Sequence, residues 1–198
     1  MQRTQVCAAT VREALAGPTQ EFELLIERIV GDPMKRILMN YGVTIPVLLC
    51  VMFSVRDILI NPHAQFWATI VLKNCLVFAC GWQLLGFAVG HLFFAEQVAE
   101  YIGVPKGYLF QLEVGVADLG MGIAGIMCAL LNGLFWLAVI INISVFQWGC
   151  AIGHIKEMRA TNNRNPGNVG YVFWWDLLIP VLLITLGALH FLHVKAGN

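Results

Sequence analysis

Apolar residues fall into five long stretches along the chain, from about Tyr41 to Ile60, Phe66 to Val89, Tyr108 to Leu131, Leu134 to Ile155 and Tyr171 to Phe191. Each approaches the roughly 20 residues that a helix needs to cross the hydrocarbon core of a bilayer. The pattern predicts an all-α fold: an integral membrane helical bundle of about five transmembrane helices, a four-helix core with one N-terminal span added. The first stretch is the least regular, because Pro46 interrupts it and Arg56 and Asp57 lie near its far end. Between the third and fourth, Asn132-Gly133 predicts a tight reversal, since both residues tolerate left-handed backbone. Ahead of the first stretch, Phe22, Leu25, Ile26, Ile29 and Val30 recur at helical spacing opposite Glu21, Glu23, Glu27 and Arg28. That is the pattern of an amphipathic helix on a membrane surface or against a partner, ended by Gly31-Asp32-Pro33. The predicted organisation is a cytoplasmic N-terminal arm over residues 1–37, then the bundle over 38–198.

Composition strengthens the membrane assignment. The 198 residues are 59% hydrophobic and 12% charged, with a mean hydropathy of +0.74, whereas soluble domains carry about 25% charged residues. The formal net charge is zero, so no global field draws the chain to nucleic acid, and a nucleic-acid partner is set aside. The six cysteines stand singly in apolar surroundings with no C-x-x-C pair, which predicts buried, reduced packing residues. Residues 1–20 hold no apolar run of the length a secretory signal needs, so the N-terminus is expected to be retained. With that end inside, Arg3, Arg12, Arg28, Lys35, Arg36, Lys106, Lys156, Arg159 and Arg164 lie on the inner side, nine against the two outer residues Arg56 and Lys195, and Lys73 lies within a span. The asymmetry predicts a multi-pass protein of the cell inner (plasma) membrane with a cytoplasmic N-terminus.

Under this topology five titratable groups from four stretches meet one layer at the inner face: His91, Glu113, Asp118, His154 and Asp176. An Asp at the centre of a span costs about 2.5–3.5 kcal/mol, so such groups face the bundle interior and pair. Positions 111, 115, 118, 122, 125 and 129 repeat at alternating spacings of four and three and read Gln, Gly, Asp, Gly, Gly, Ala. They form one small-residue seam that admits a close helix, with Asp118 inside it. Glu113 lies about 140° around the helix from Asp118 at 100° per residue, which predicts that it faces an inner-face cavity with His91 and His154. Gln83 and His91, and Gln147 and His154, each share a face, with Gly86 and Gly90, and Gly149 and Gly153, beside them. His91, Glu113 and His154 are thus candidate ligands of a divalent metal, and His91 with His154 of a haem iron. No E-x-x-H motif supports a di-iron centre. The bland alternative is that both histidines are interfacial and the glycines serve packing. Tyr171, Trp174 and Trp175 read as an interfacial aromatic belt. His190 and His193 fall at the opposite face. TNNRNPGN reads as a turn, with Asn168 capping the next helix.

VADLGMGIAG resembles the acidic, glycine-rich third-helix motif of DoxX-like membrane proteins, small four-helix proteins some of which are linked to quinone-dependent sulfur or redox chemistry. More broadly, GHLFFAEQVAEYIGVPKG, FQLEVGVADLGMGIAG, GHIKEM, NPGN and WWDLLIP, in that order, are similar to a little-characterised family of bacterial and archaeal integral membrane proteins. That similarity covers about residues 66–180. The arm and the first span have no counterpart in the four-helix pattern. The resemblance implies a four-helix core and adds quinone to haem and divalent metal as ligands to weigh. Three functional classes fit. The chain can be a membrane subunit of a larger complex, redox- or quinone-linked and not catalytic alone, with other membrane subunits or further copies of itself as partners in the bilayer. It can be a small proton- or cation-coupled transporter. It can be a purely structural accessory subunit. The first is preferred, because the polar groups stop at one face.

Overall fold

The structure, a computed structural model, describes residues 44–60, 66–106 and 108–197. The arm with its amphipathic helix lies outside the described residues. Those residues are helical, with short turns and no strand among them. In chain order the helices are α1 (Thr44–Ile60), α2 (Trp67–Phe93), α3 (Ala95–Ile102), α4 (Tyr108–Met127), α5 (Leu134–Thr161), α6 (Pro166–Val169) and α7 (Tyr171–Gly197). Four helical segments, Trp67–Phe93, Leu109–Met127, Leu134–Thr161 and Pro166–Gly197, are long and apolar enough to cross a membrane. The first expected span is α1, whose 17 residues reach about 26 Å at 1.5 Å per residue, against a hydrocarbon core of about 30 Å.

The helices assemble as two antiparallel pairs. In one, α2 lies along the small-residue seam of α4. A Cβ built on Gly125 would stand 2.7 Å from Gly81 Cα, one on Gly122 would stand 2.8 Å from Leu85, and one on Gly115 would stand 2.7 Å from Leu92. The two backbones meet at Gly81 and Gly125 because neither residue carries a side chain. In the other pair α5 packs on α7, with Gly187 against Ile140. The pairs join where α7 returns beside the start of α2, and Thr69 Oγ1 bonds His190 Nδ1 at 2.9 Å. Leu72, Leu76, Leu84, Ile143 and Leu183 fill the centre.

Within α2, Cys75–Trp82 is π-helical. The wider turn breaks the 3.6-residue phase, and Cys75, Leu76, Val77, Ala79, Cys80 and Gly81 are buried around nearly its whole circumference. Helix α1 covers part of this segment: Phe53 stacks on Phe78 at 4.8 Å, Cys50 Sγ approaches Cys75 Sγ at 3.5 Å, and Asn74 Nδ2 donates to Asp57 at 3.5 Å. The five described cysteines are free, and all but Cys150 are buried.

The loops divide the bundle into two unlike ends. At one, the expected reversal is present, with Gly133 at φ +62°. Trp136 there donates its indole N–H to the Cys128 carbonyl at 3.1 Å and the Leu131 carbonyl at 2.5 Å. At the other, α3 and α6 form a cap. Helix α3 stops at Gly103, in the left-handed region at φ +81°, where its N–H and that of Val104 reach back to the Ala99 carbonyl. Asn163 Nδ2 donates to the carbonyls of Ile102 and Gly103 at 2.9 Å each, closing that helix end from some 60 residues away.

Candidate functional site

The capped end carries the polar chemistry. His154, on α5, faces Asn168 of α6 on one side and Asp176 of α7 on the other. Asn168 is buried, and its Nδ2 donates to the Asn163 carbonyl at 3.1 Å. Its Oδ1 therefore turns to His154 Nδ1 at 2.7 Å, and because that oxygen only accepts, Nδ1 carries the hydrogen. The remaining ring nitrogen, Nε2, stands 3.6 Å from Asp176 Oδ2. At that distance no direct hydrogen bond joins them, and a proton on either group would make the contact attractive.

Asp118 extends the site inward. It is 2% exposed and has no hydrogen-bond or ion-pair partner among the described residues. It lies within electrostatic reach of Asp176, and the Cys150 thiol lies within reach of both carboxyls. Further along the interior, both polar atoms of the Gln147 side chain, Ser144 Oγ and Gln83 Oε1 are buried without hydrogen-bond partners among the described residues. Buried polar atoms left unpaired are costly and mark sites where water or a small ion completes the bonding.

The five expected site residues do not form one cluster. Asp118, His154 and Asp176 come together. His91 instead bonds Gln111 Oε1 at 2.5 Å, between α2 and α4, and its Nδ1 also carries the hydrogen if that oxygen is the acceptor. Glu113 is exposed, which corrects the expectation that it shares a cavity with His91 and His154. The reason is that α4 packs chiefly through its seam, so a residue about 140° from that seam points out of the bundle. Among the described residues no three His, Cys, Asp or Glu side chains are grouped to hold a metal ion, so the His91, Glu113 and His154 ligand set is not assembled. Asn168 does not cap a helix, as expected of it. It lies inside α6, whose own N-cap position is Asn165, and it bonds His154. Gly149 and Gly153 have no atom within 4 Å of an added Cβ, so they face outward instead of packing inside the bundle. His190 and His193 do lie at the opposite end, bonded to Thr69 and stacked on Phe66 at 4.3 Å. Tyr171 stacks on Trp175 at 5.5 Å.

Asn163 is missed in the sequence, and Asn168 and Gln147 are read there only as a helix cap and as a residue on the face of His154. The clustering of four asparagines in TNNRNPGN was the available signal for the first two, since amides supply donor and acceptor together.

A helical bundle with four helices long and apolar enough to cross a membrane, and an acid–imidazole pair at one end, is the class these features define. The chain belongs to the DUF6790 family, a family of unknown function, whose profile matches residues 39–195. The match takes in α1 to α6 whole and α7 as far as residue 195. No curated protein and no solved structure matches the chain.

Proposed function

We propose that this is a multi-pass protein of the cell inner membrane with a cytoplasmic N-terminus, and that it serves as a proton-handling membrane subunit of a larger complex. Four long apolar helices support the membrane part of this reading, together with outward-facing side chains such as Leu130, Leu134 and Leu109, 86%, 80% and 71% exposed. Water would disfavour that surface and lipid accepts it. Helix α1 is the fifth crossing, in keeping with the nine-to-two distribution of Lys and Arg, and the α3/α6 cap lies on the cytoplasmic side.

The observation that carries the proton reading is the 2.7 Å contact of His154 Nδ1 with Asn168 Oδ1, which assigns the hydrogen to Nδ1. With Nδ1–H committed to Asn168, Nε2 is left facing Asp176 at 3.6 Å, and Asp118 beyond it, without a hydrogen-bond partner among the described residues, is a second carboxyl to receive a proton. A proton from the capped end reaches Asp176 through His154 and passes inward to Asp118. The likeness of VADLGMGIAG to the DoxX-like motif suggests a redox setting, in which reduction of a quinone takes up protons; this is an analogy of motif alone. Transport across the membrane is less well supported, because beyond Gln83 the lining of α2 becomes the apolar segment Cys75–Trp82.

Infrared difference spectra of the purified protein across a pH step test this reading. Carboxyl and imidazole bands should change together, and D118N should remove one carboxyl component. Spectra without a carboxyl change, or unaltered by D118N, overturn the proton role. Release of the chain from membranes by alkaline carbonate overturns the membrane assignment.

A further inference from the structure

We propose that two copies of this chain associate side by side in the bilayer through the outward face of α5, each Asn142 bonding the Asn142 of the other copy. The inference rests on the membrane-spanning reading above. Leu134, Ile141, Val145, Trp148 and Ile152 are exposed along α5. Asn142 is exposed on the same side, and no hydrogen bond joins its amide to any described residue. It stands about 12 Å along the helix from Leu134, inside a hydrocarbon core about 30 Å thick. Lys73 can snorkel to the interface, and the exposed Thr185 hydroxyl bonds the Val181 carbonyl at 2.7 Å. The short amide of Asn142 has neither remedy, and lipid offers no partner.

Membrane insertion gives every copy the same orientation. Two copies facing one another through α5 are therefore related by a two-fold axis along the membrane normal, which brings a residue opposite itself at its own depth. An amide has both donor and acceptor, so Asn142 is its own complement and can form two reciprocal bonds. Gly149 and Gly153 lie on the same face toward the capped end. An added Cβ at either would meet nothing within 4 Å, leaving α5 backbone bare for close approach by a second helix.

Single-molecule photobleaching of the fluorescently tagged full chain in lipid vesicles, over a series of protein-to-lipid ratios, tests the proposal. The unaltered chain should reach a dimer. N142L should raise the dissociation constant about 3- to 30-fold, the range for an interhelical polar contact in lipid. G149I should abolish the dimer, while G120I, at another position where an added Cβ meets nothing, should leave it intact. A chain that stays monomeric at every ratio, or a dimer indifferent to both N142L and G149I, overturns the proposal. So does a photocrosslinker at position 142 that captures a different protein. Resistance of the unaltered chain to carbonate extraction, measured in parallel, separates failure of this interface from failure of the membrane assignment.

Discussion

Replacing Gly125 by alanine adds one methyl group where α2 and α4 touch backbone to backbone. The new Cβ would lie 2.7 Å from Gly81 Cα, 2.8 Å from the Leu76 carbonyl oxygen and 2.9 Å from Gly81 N. Carbon atoms in contact prefer about 3.5–4.0 Å, so the helices must part by about 1 Å, and no rotamer change can absorb the shift because the obstructing atoms are main chain. Overpacking of this kind costs about 1–3 kcal/mol. Alanine returns about 1 kcal/mol through helix propensity, and G120A isolates that term, because a Cβ at Gly120 meets nothing within 4 Å. The two variants should therefore differ by about 1–3 kcal/mol, a factor of about 5 to 150 in the folded population. G115A should fall between them, since its obstructions are side-chain atoms of Leu92 and His91. Thermal denaturation in detergent, followed by loss of monodisperse protein, should rank them G120A, G115A, G125A from most to least stable. If G125A equals G120A, α2 and α4 do not meet at Gly81 and Gly125.

N168A removes the acceptor of His154 Nδ1–H and the donor to the Asn163 carbonyl in one step. It should cost about 1–3 kcal/mol and speed hydrogen exchange in Ala95–Ile102 and Pro166–Val169 while the centre of α5 stays protected; uniform exchange rates would show that Asn168 does not hold the cap. E113Q should change stability by less than about 0.5 kcal/mol, as exposed substitutions do, and leave in place the carboxyl component that D118N removes, whereas loss of that same component would place Glu113 in the proton site after all.

What the chain determined by itself is the set of properties that repeat along one helix. Apolar length marked five stretches, of which four are helices long and apolar enough to span a bilayer, spacings of four and three put Gly115, Asp118, Gly122 and Gly125 on one seam, and Gly133 marked the reversal. Each depends only on residues near in sequence, and helical phase reports them directly. The tertiary structure decided which neighbour each face meets. Glu113 and Asp118 are equally legible as acids in a span, yet one is exposed because α4 packs mainly through its seam, and the other is buried because that seam meets α2. The π-helical turn at Cys75–Trp82 rotates the face that α2 presents, which an ideal period of 3.6 cannot anticipate. His91 and His154, alike in their local Gly-His setting, take different partners, Gln111 and Asn168. The approach of His154 to Asp176 is set by Asn168, which is held by Asn163, and Asn163 in turn closes the end of α3. A hydrogen-bond network of this kind joins groups by direction and distance in space, so the fold had to bring them together before their chemistry could be read.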